Sequence, residues 1–108
     1  MNVIENDIKA AVDKELKAAV SRFGFHNSNH EKMAVIAEEY EEATEALENL
    51  TSRVRNAWVR VRQNNDNDSM DYAYGRIYDA AVELAIEACQ VAAMADKLIK
   101  RMEDEANA

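Results

Sequence analysis

The chain has 108 residues and a formal net charge of −8, with 13 Lys and Arg against 21 Asp and Glu. That length bounds it to one domain, 1–108, and the acidic balance excludes nucleic acid as the expected partner, because phosphate backbones are held by basic faces. It has no proline and only two glycines, Gly24 and Gly75, among abundant Ala, Glu, Val and Leu, and no alternating β-branched run; the fold class is therefore all-α.

The first predicted helix spans about 3–23. Its Ile4, Ile8, Ala11, Val12, Leu16, Ala19, Val20 and Phe23 recur at helical spacing, and Gly24 closes it. The opening "MNVIENDIKAAV" carries acids and no apolar segment, so it does not read as a signal peptide. Next comes "FHNSNHE", where Ser28 and Glu31 have the spacing of a capping box. A second helix is expected over about 29–63, with a seam of Ile36, Tyr40, Ala43, Leu47, Leu50, Val54, Ala57 and Val61. The polar run "QNNDNDS" ends it. The third helix is expected over about 69–104, with a seam of Ile77, Ala81, Leu84, Ala88, Val91, Ala95, Leu98 and Met102.

Two long helices joined by a short loop make an antiparallel helical hairpin. Apolar residues also lie off the seams, at Val35, Trp58, Tyr72, Tyr74, Tyr78, Ile86 and Met94. One short N-terminal helix does not cover two faces, so a homodimer or homotetramer is expected, with a four-helix core built across subunits. No run approaches the roughly 18 apolar residues of a membrane span, and no membrane partner is expected. Cys89 is the single cysteine, which rules out an intrachain disulfide and makes a cytoplasmic location the expectation. Its alanine-rich surroundings favour a packed thiol over a nucleophile.

The stretch "VIAEEYEEATEAL" concentrates Glu38, Glu39, Glu41, Glu42 and Glu45. Advancing 100° per residue puts Glu41 and Glu45 opposite the seam, in solvent, and Glu39 and Glu42 on its flank, with Glu38 at the outer edge. A matching flank on the third helix carries Glu83, Glu87, Gln90 and Met94, continued by Lys97 and Arg101. Folding the hairpin about a loop midpoint near residue 66 sets Glu39 and Glu42 level with Glu87 and Gln90, give or take a turn. Carboxylates that close raise one another's pKa unless a cation neutralises them. Hard oxygen donors without a suitable histidine point to Mg²⁺ or Mn²⁺. The bland reading is a highly charged bundle in which two glutamates meet by chance.

These residues resemble a known family. "EEYEE", giving Glu38, Glu39 and Glu42, is similar to the E-E-x-x-E motif of the MazG-like all-α nucleoside triphosphate pyrophosphohydrolases. "EACQ", Glu87 to Gln90, partly matches the family's E-x-x-D. The strings "NSNHEKMAVIAEEYEEATEAL" and "EACQVAAMADKLI" look closer still to small phage and bacterial MazG-like proteins, over about residues 23–102. The resemblance implies Mg²⁺ held by carboxylates on a nucleoside triphosphate, and water attack at the α–β linkage to release a monophosphate and pyrophosphate. Carried over by position, Glu38, Glu39, Glu42 and Glu87 are its metal ligands or water activators. Lys97 and Arg101 are inferred separately as phosphate partners, because they continue the stripe where the acids end.

One position departs from the motif: Gln90 stands where the aspartate belongs. Its carbonyl can ligate Mg²⁺ weakly and cannot act as a base; Glu83, one turn earlier, is placed to compensate. The alternative reading is a catalytically reduced MazG-fold protein that binds nucleotides or acts as a helical interaction module. His26 and His30 straddle the capping serine and read as capping and packing residues. No Glu-x-x-His occurs, which argues against a di-iron centre. The arginines of "RVRNAWVRVR", at 53, 55, 60 and 62, point to different sides of a helix and read as a solvated face.

Overall fold

A computed structural model of the chain describes residues 2–23, 28–64 and 69–107, with side chains over 4–18, 28–63 and 69–99. Three α-helices appear: α1 (Asn2–Phe23), α2 (Asn29–Asn64) and α3 (Asp71–Asn107). No strand occurs among the described residues. α2 and α3 pack as the expected hairpin, and α1 packs along α3.

The helix starts follow from local chemistry. Ser28 Oγ accepts from the amide of Glu31 at 3.1 Å, and its carbonyl accepts from Lys32 at 3.0 Å. One orphan donor of the first turn is thereby satisfied by the side chain. Ser28→Ala is expected to lower stability by about 1 kcal/mol, read as a reduced denaturation midpoint. An unchanged midpoint would mean that this helix end is held by packing alone. At the other helix start, Ser69 Oγ accepts from the Asp71 amide at 3.3 Å, and the Met70 carbonyl accepts from Tyr74 at 2.9 Å. Within α2, Thr44 and Thr51 return their hydroxyls to the carbonyls of Tyr40 and Leu47, at 3.0 and 2.9 Å.

The hairpin contact overlaps the predicted seams only in part, at Ala57 and Leu98. Buried positions are Ala46 and Ala57 on α2, and Ala80, Ala93, Met94 and Leu98 on α3. On the predicted seams, Tyr40, Leu47, Val54, Ala81 and Ala88 are exposed. The cause is helical phase. Ala46 and Ala57 share a line with Glu39 and Arg53, and Tyr40, Leu47 and Val54 lie roughly 70–120° around the helix from it. The small residues let the backbones approach, and the large ones flank the contact. In an antiparallel pair, equal angular offsets on the two helices fall on one side. Tyr74, Ile77, Ala81 and Ala88 therefore join the α2 stripe in a single apolar face. Val54, Trp58, Val61, Met70, Tyr74 and Ile77 line one shallow groove on it.

The opposite side is polar and carries Glu39, Glu42 and Glu87 toward one end, with Arg53, Arg60 and Arg76 toward the loop. The molecule measures 66 × 31 × 21 Å, and its radius of gyration of 18.5 Å exceeds the roughly 13 Å of a compact chain this long. No helix among the described residues is long and apolar enough to cross a membrane. His26 lies outside the described residues, and His30 is exposed.

Candidate metal centre

Glu39 and Glu42 are three residues apart on α2, so both project from one face, one turn apart. Glu87 projects toward them from α3. One carboxylate oxygen from each of the three lies within 4.8 Å of the others. Glu39 and Glu87 are half-buried and Glu42 is exposed, so the cluster opens to solvent on one side.

Two features mark Glu87 as the tightest member. Its Oε2 is sealed from solvent without a hydrogen-bond partner among the described residues. Its carboxyl is pushed above the usual carboxylate range, first by burial and then by the charge of Glu42. A hydrogen bond with Glu83 and the charges of Glu83 and Glu39 add to this. A carboxylate that is costly to ionise, with an unsatisfied oxygen beside two further acids, is suited to a hard divalent cation. The donor set is three carboxylates from two rigid helices, and it fits Mg²⁺ or Mn²⁺.

Of the residues singled out from the sequence, Glu39, Glu42 and Glu87 are brought together, and Glu83 reaches Glu87. Glu38 is exposed, at the edge of the cluster's face. Gln90 is half-buried one turn beyond Glu87. The side chain of Arg101 lies outside the described residues. Cys89 is half-buried and lines a groove between α1 and α3 with Ile8, Ala11 and Val82.

Lys97 is the unexpected member. It is 1% exposed, its Nζ has no hydrogen-bond partner among the described residues, and burial pulls its ammonium below the usual lysine range. The unfolded chain then binds more protons than the folded one between that lowered value and the ordinary 10.5. Stability therefore rises with pH through this window. Lys97→Met keeps the stem's apolar contacts and removes the desolvated charge. It is expected to add roughly 1–3 kcal/mol at neutral pH and to flatten the alkaline rise. Urea denaturation at two pH values checks both, and a destabilised variant would reveal an ion pair that the ammonium depends on.

No known family model matches the chain, and no characterised protein or solved structure is significantly similar to it.

Proposed function

We propose that the protein is a MazG-like, Mg²⁺- or Mn²⁺-dependent nucleotide pyrophosphohydrolase that splits a nucleoside triphosphate into a monophosphate and pyrophosphate, acting as a homodimer or homotetramer. The observation that carries this reading is the approach of Glu39, Glu42 and Glu87 oxygens to within 4.8 Å across the hairpin. Such a cluster alone is common on acidic surfaces. Its support here comes from the same three residues being those that the E-E-x-x-E and E-x-x-D resemblance nominates.

A divalent ion held there would neutralise triphosphate oxygens and favour water attack. Glu39, Glu42 and Glu87 would hold it from two helices, and the Gln90 carbonyl would supply a neutral oxygen close by. Glu38, exposed at the edge, would take the proton of the attacking water. Glu83, one turn before Glu87 on the same face of α3, would supply the negative charge that Gln90 lacks. Lys97 stands ten residues, or about 15 Å of helix, beyond Glu87. Lys97 would meet phosphate only at the far end of the stripe; the other phosphate candidate, Arg101, has its side chain outside the described residues.

Oligomerisation is supported by surface area. The chain exposes 7974 Å², about a third more than the roughly 6,100 Å² expected for a compact monomer of its mass. The surplus, about 1,900 Å² per chain, is about 3,700 Å² for a pair of chains, within the roughly 2,000–5,000 Å² in total that obligate dimer interfaces remove from water.

The test is pyrophosphate release from the common ribo- and deoxyribonucleoside triphosphates with Mg²⁺ and with Mn²⁺. Turnover of at least one is expected, and none with either ion would sink the catalytic reading. The second reading, a MazG-fold protein that binds without hydrolysis, is favoured by Gln90 in the aspartate position. It predicts metal-linked stabilisation by nucleotide without turnover.

A further inference from the structure

The polar side of the hairpin holds a second feature that the acidic cluster does not use. Arg53, Asn56 and Arg60 are spaced three and four apart on α2 and so share one face. On α3, Tyr72 and Arg76 have the same spacing and face them. Together with Ala57 and Ala73 they line a pocket of about 190 Å³. Its lining contains three guanidinium groups and no carboxylate, in a chain where acids outnumber bases by 21 to 13. All three arginines are half-buried, and among the described residues no ion pair to any of them is seen. Arg76 Nε is cut off from solvent with no hydrogen-bond partner among the described residues.

Like charges gather at a desolvated spot only at a cost, and a buried N–H without an acceptor adds to it. An anion removes both costs. We propose that the Arg53–Arg60–Arg76 pocket binds a phosphate-bearing ligand, with the guanidinium forks taking phosphate oxygens and the Asn56 amide adding a donor. Planar forks match phosphate bidentately and hold it more tightly than a carboxylate with one negative charge. The pocket is smaller than the roughly 300 Å³ at which drug-sized sites begin, so it takes a phosphate or diphosphate group and leaves the rest of the ligand outside, against exposed Tyr72.

This site is separate from the metal centre. Arg53 lies eleven residues from Glu42 and Arg76 eleven from Glu87, about 16 Å along each helix. Binding here needs no divalent ion.

Isothermal titration of the whole chain with inorganic pyrophosphate in EDTA tests the proposal. Saturable binding is expected, weakened at least tenfold by Arg53→Gln or Arg76→Gln and less by Arg76→Lys, which keeps the charge and loses the fork. Arg62→Gln, exposed and outside the pocket, and Glu42→Gln are expected to leave it intact. If Arg76→Gln does not fold, Arg60→Gln at the pocket wall takes its place. No binding, binding indifferent to the pocket arginines, equal loss with Arg62→Gln, or loss with Glu42→Gln would each overturn it. Failure of the pyrophosphohydrolase reading leaves this result unaffected, because no metal or turnover is involved.

Discussion

Glu42→Gln is expected to reduce metal-dependent pyrophosphate release by roughly a hundred- to a thousandfold, the usual effect of removing one preorganised electrostatic group from a transition state, while making the metal-free protein more stable. The two effects have one cause. Unit charges 4.8 Å apart repel by about 0.9 kcal/mol at the dielectric constant of water and more where solvent is partly excluded. Removing one of three charges relieves two such pairs, so the metal-free melting temperature is expected to rise by several degrees, at about 4–8 °C per kcal/mol for a small domain. Mg²⁺ or Mn²⁺ is expected to stabilise the native chain and to lose most of that effect in the variant. Saturating ion at a hundredfold excess over its dissociation constant adds about 2.7 kcal/mol.

The pH dependence follows the same logic. Glu87 is raised above the ordinary carboxylate value of 4.5, so the folded chain holds its proton longer than the unfolded one. Metal-free stability then falls as pH climbs from 4.5 through the raised value. A divalent ion that takes the proton's place flattens this fall. Melts with and without Mn²⁺, at mildly acidic and neutral pH, read both behaviours. A variant that loses stability, or an ion response unchanged by the substitution, would mean that the three acids are ordinary surface charges.

How far the sequence carried depends on the kind of signal. Helix boundaries were legible because capping is local: Ser28 and Ser69 announce their helices within three residues, and both hydroxyls accept from first-turn amides. The acidic centre was legible through register. Folding about residue 66 placed Glu42 near residue 90. The observed partner is Glu87, which moves the midpoint to between 64 and 65, a shift within one helical turn. That corrected register pairs Arg53 with Arg76 as well, because both pairs are symmetric about the same point. The arginine pocket does not show in "RVRNAWVRVR" by itself, because its third guanidinium, Arg76, comes from α3 and only the folded hairpin brings it to Arg53 and Arg60. Phase separates Arg53 and Arg60, seven apart on one face, from Arg55 and Arg62, and the first pair meets Arg76 across the hairpin. The side of the hairpin that packs was legible only in part: Ala57 and Leu98 of the expected seams are buried, while Tyr40, Leu47 and Val54 are exposed. Periodicity follows the largest apolar residues, whereas helices in close contact use the smallest, here Ala46 and Ala80, which lie off the expected seams. A chain with two usable stripes does not say which of them faces its own partner helix.

The displaced stripe leads to the second large effect. Tyr40, Leu47, Val54 and Trp58 are 63, 50, 37 and 59% exposed, and the first three recur every seven residues, the repeat that packs one helix against another. A surface that apolar, on a chain with surplus area, is expected to be covered by a second copy. Leu47→Asp combined with Val54→Asp is then expected to give a monomer of 12.2 kDa by light scattering, where the native chain runs as a dimer or tetramer. Each native side chain contributes at least about 1 kcal/mol on burial and occurs in both copies. The double substitution therefore costs at least about 4 kcal/mol, roughly a thousandfold in dissociation constant, before the added charges are counted. Glu41→Lys, exposed and away from the stripe, is expected to leave the mass unchanged. A native chain that is monomeric at tens of micromolar removes the oligomer from the proposal. A monomeric variant that keeps its Mn²⁺ stabilisation but stops releasing pyrophosphate would mean that one hairpin holds the ion and a second copy completes the substrate site.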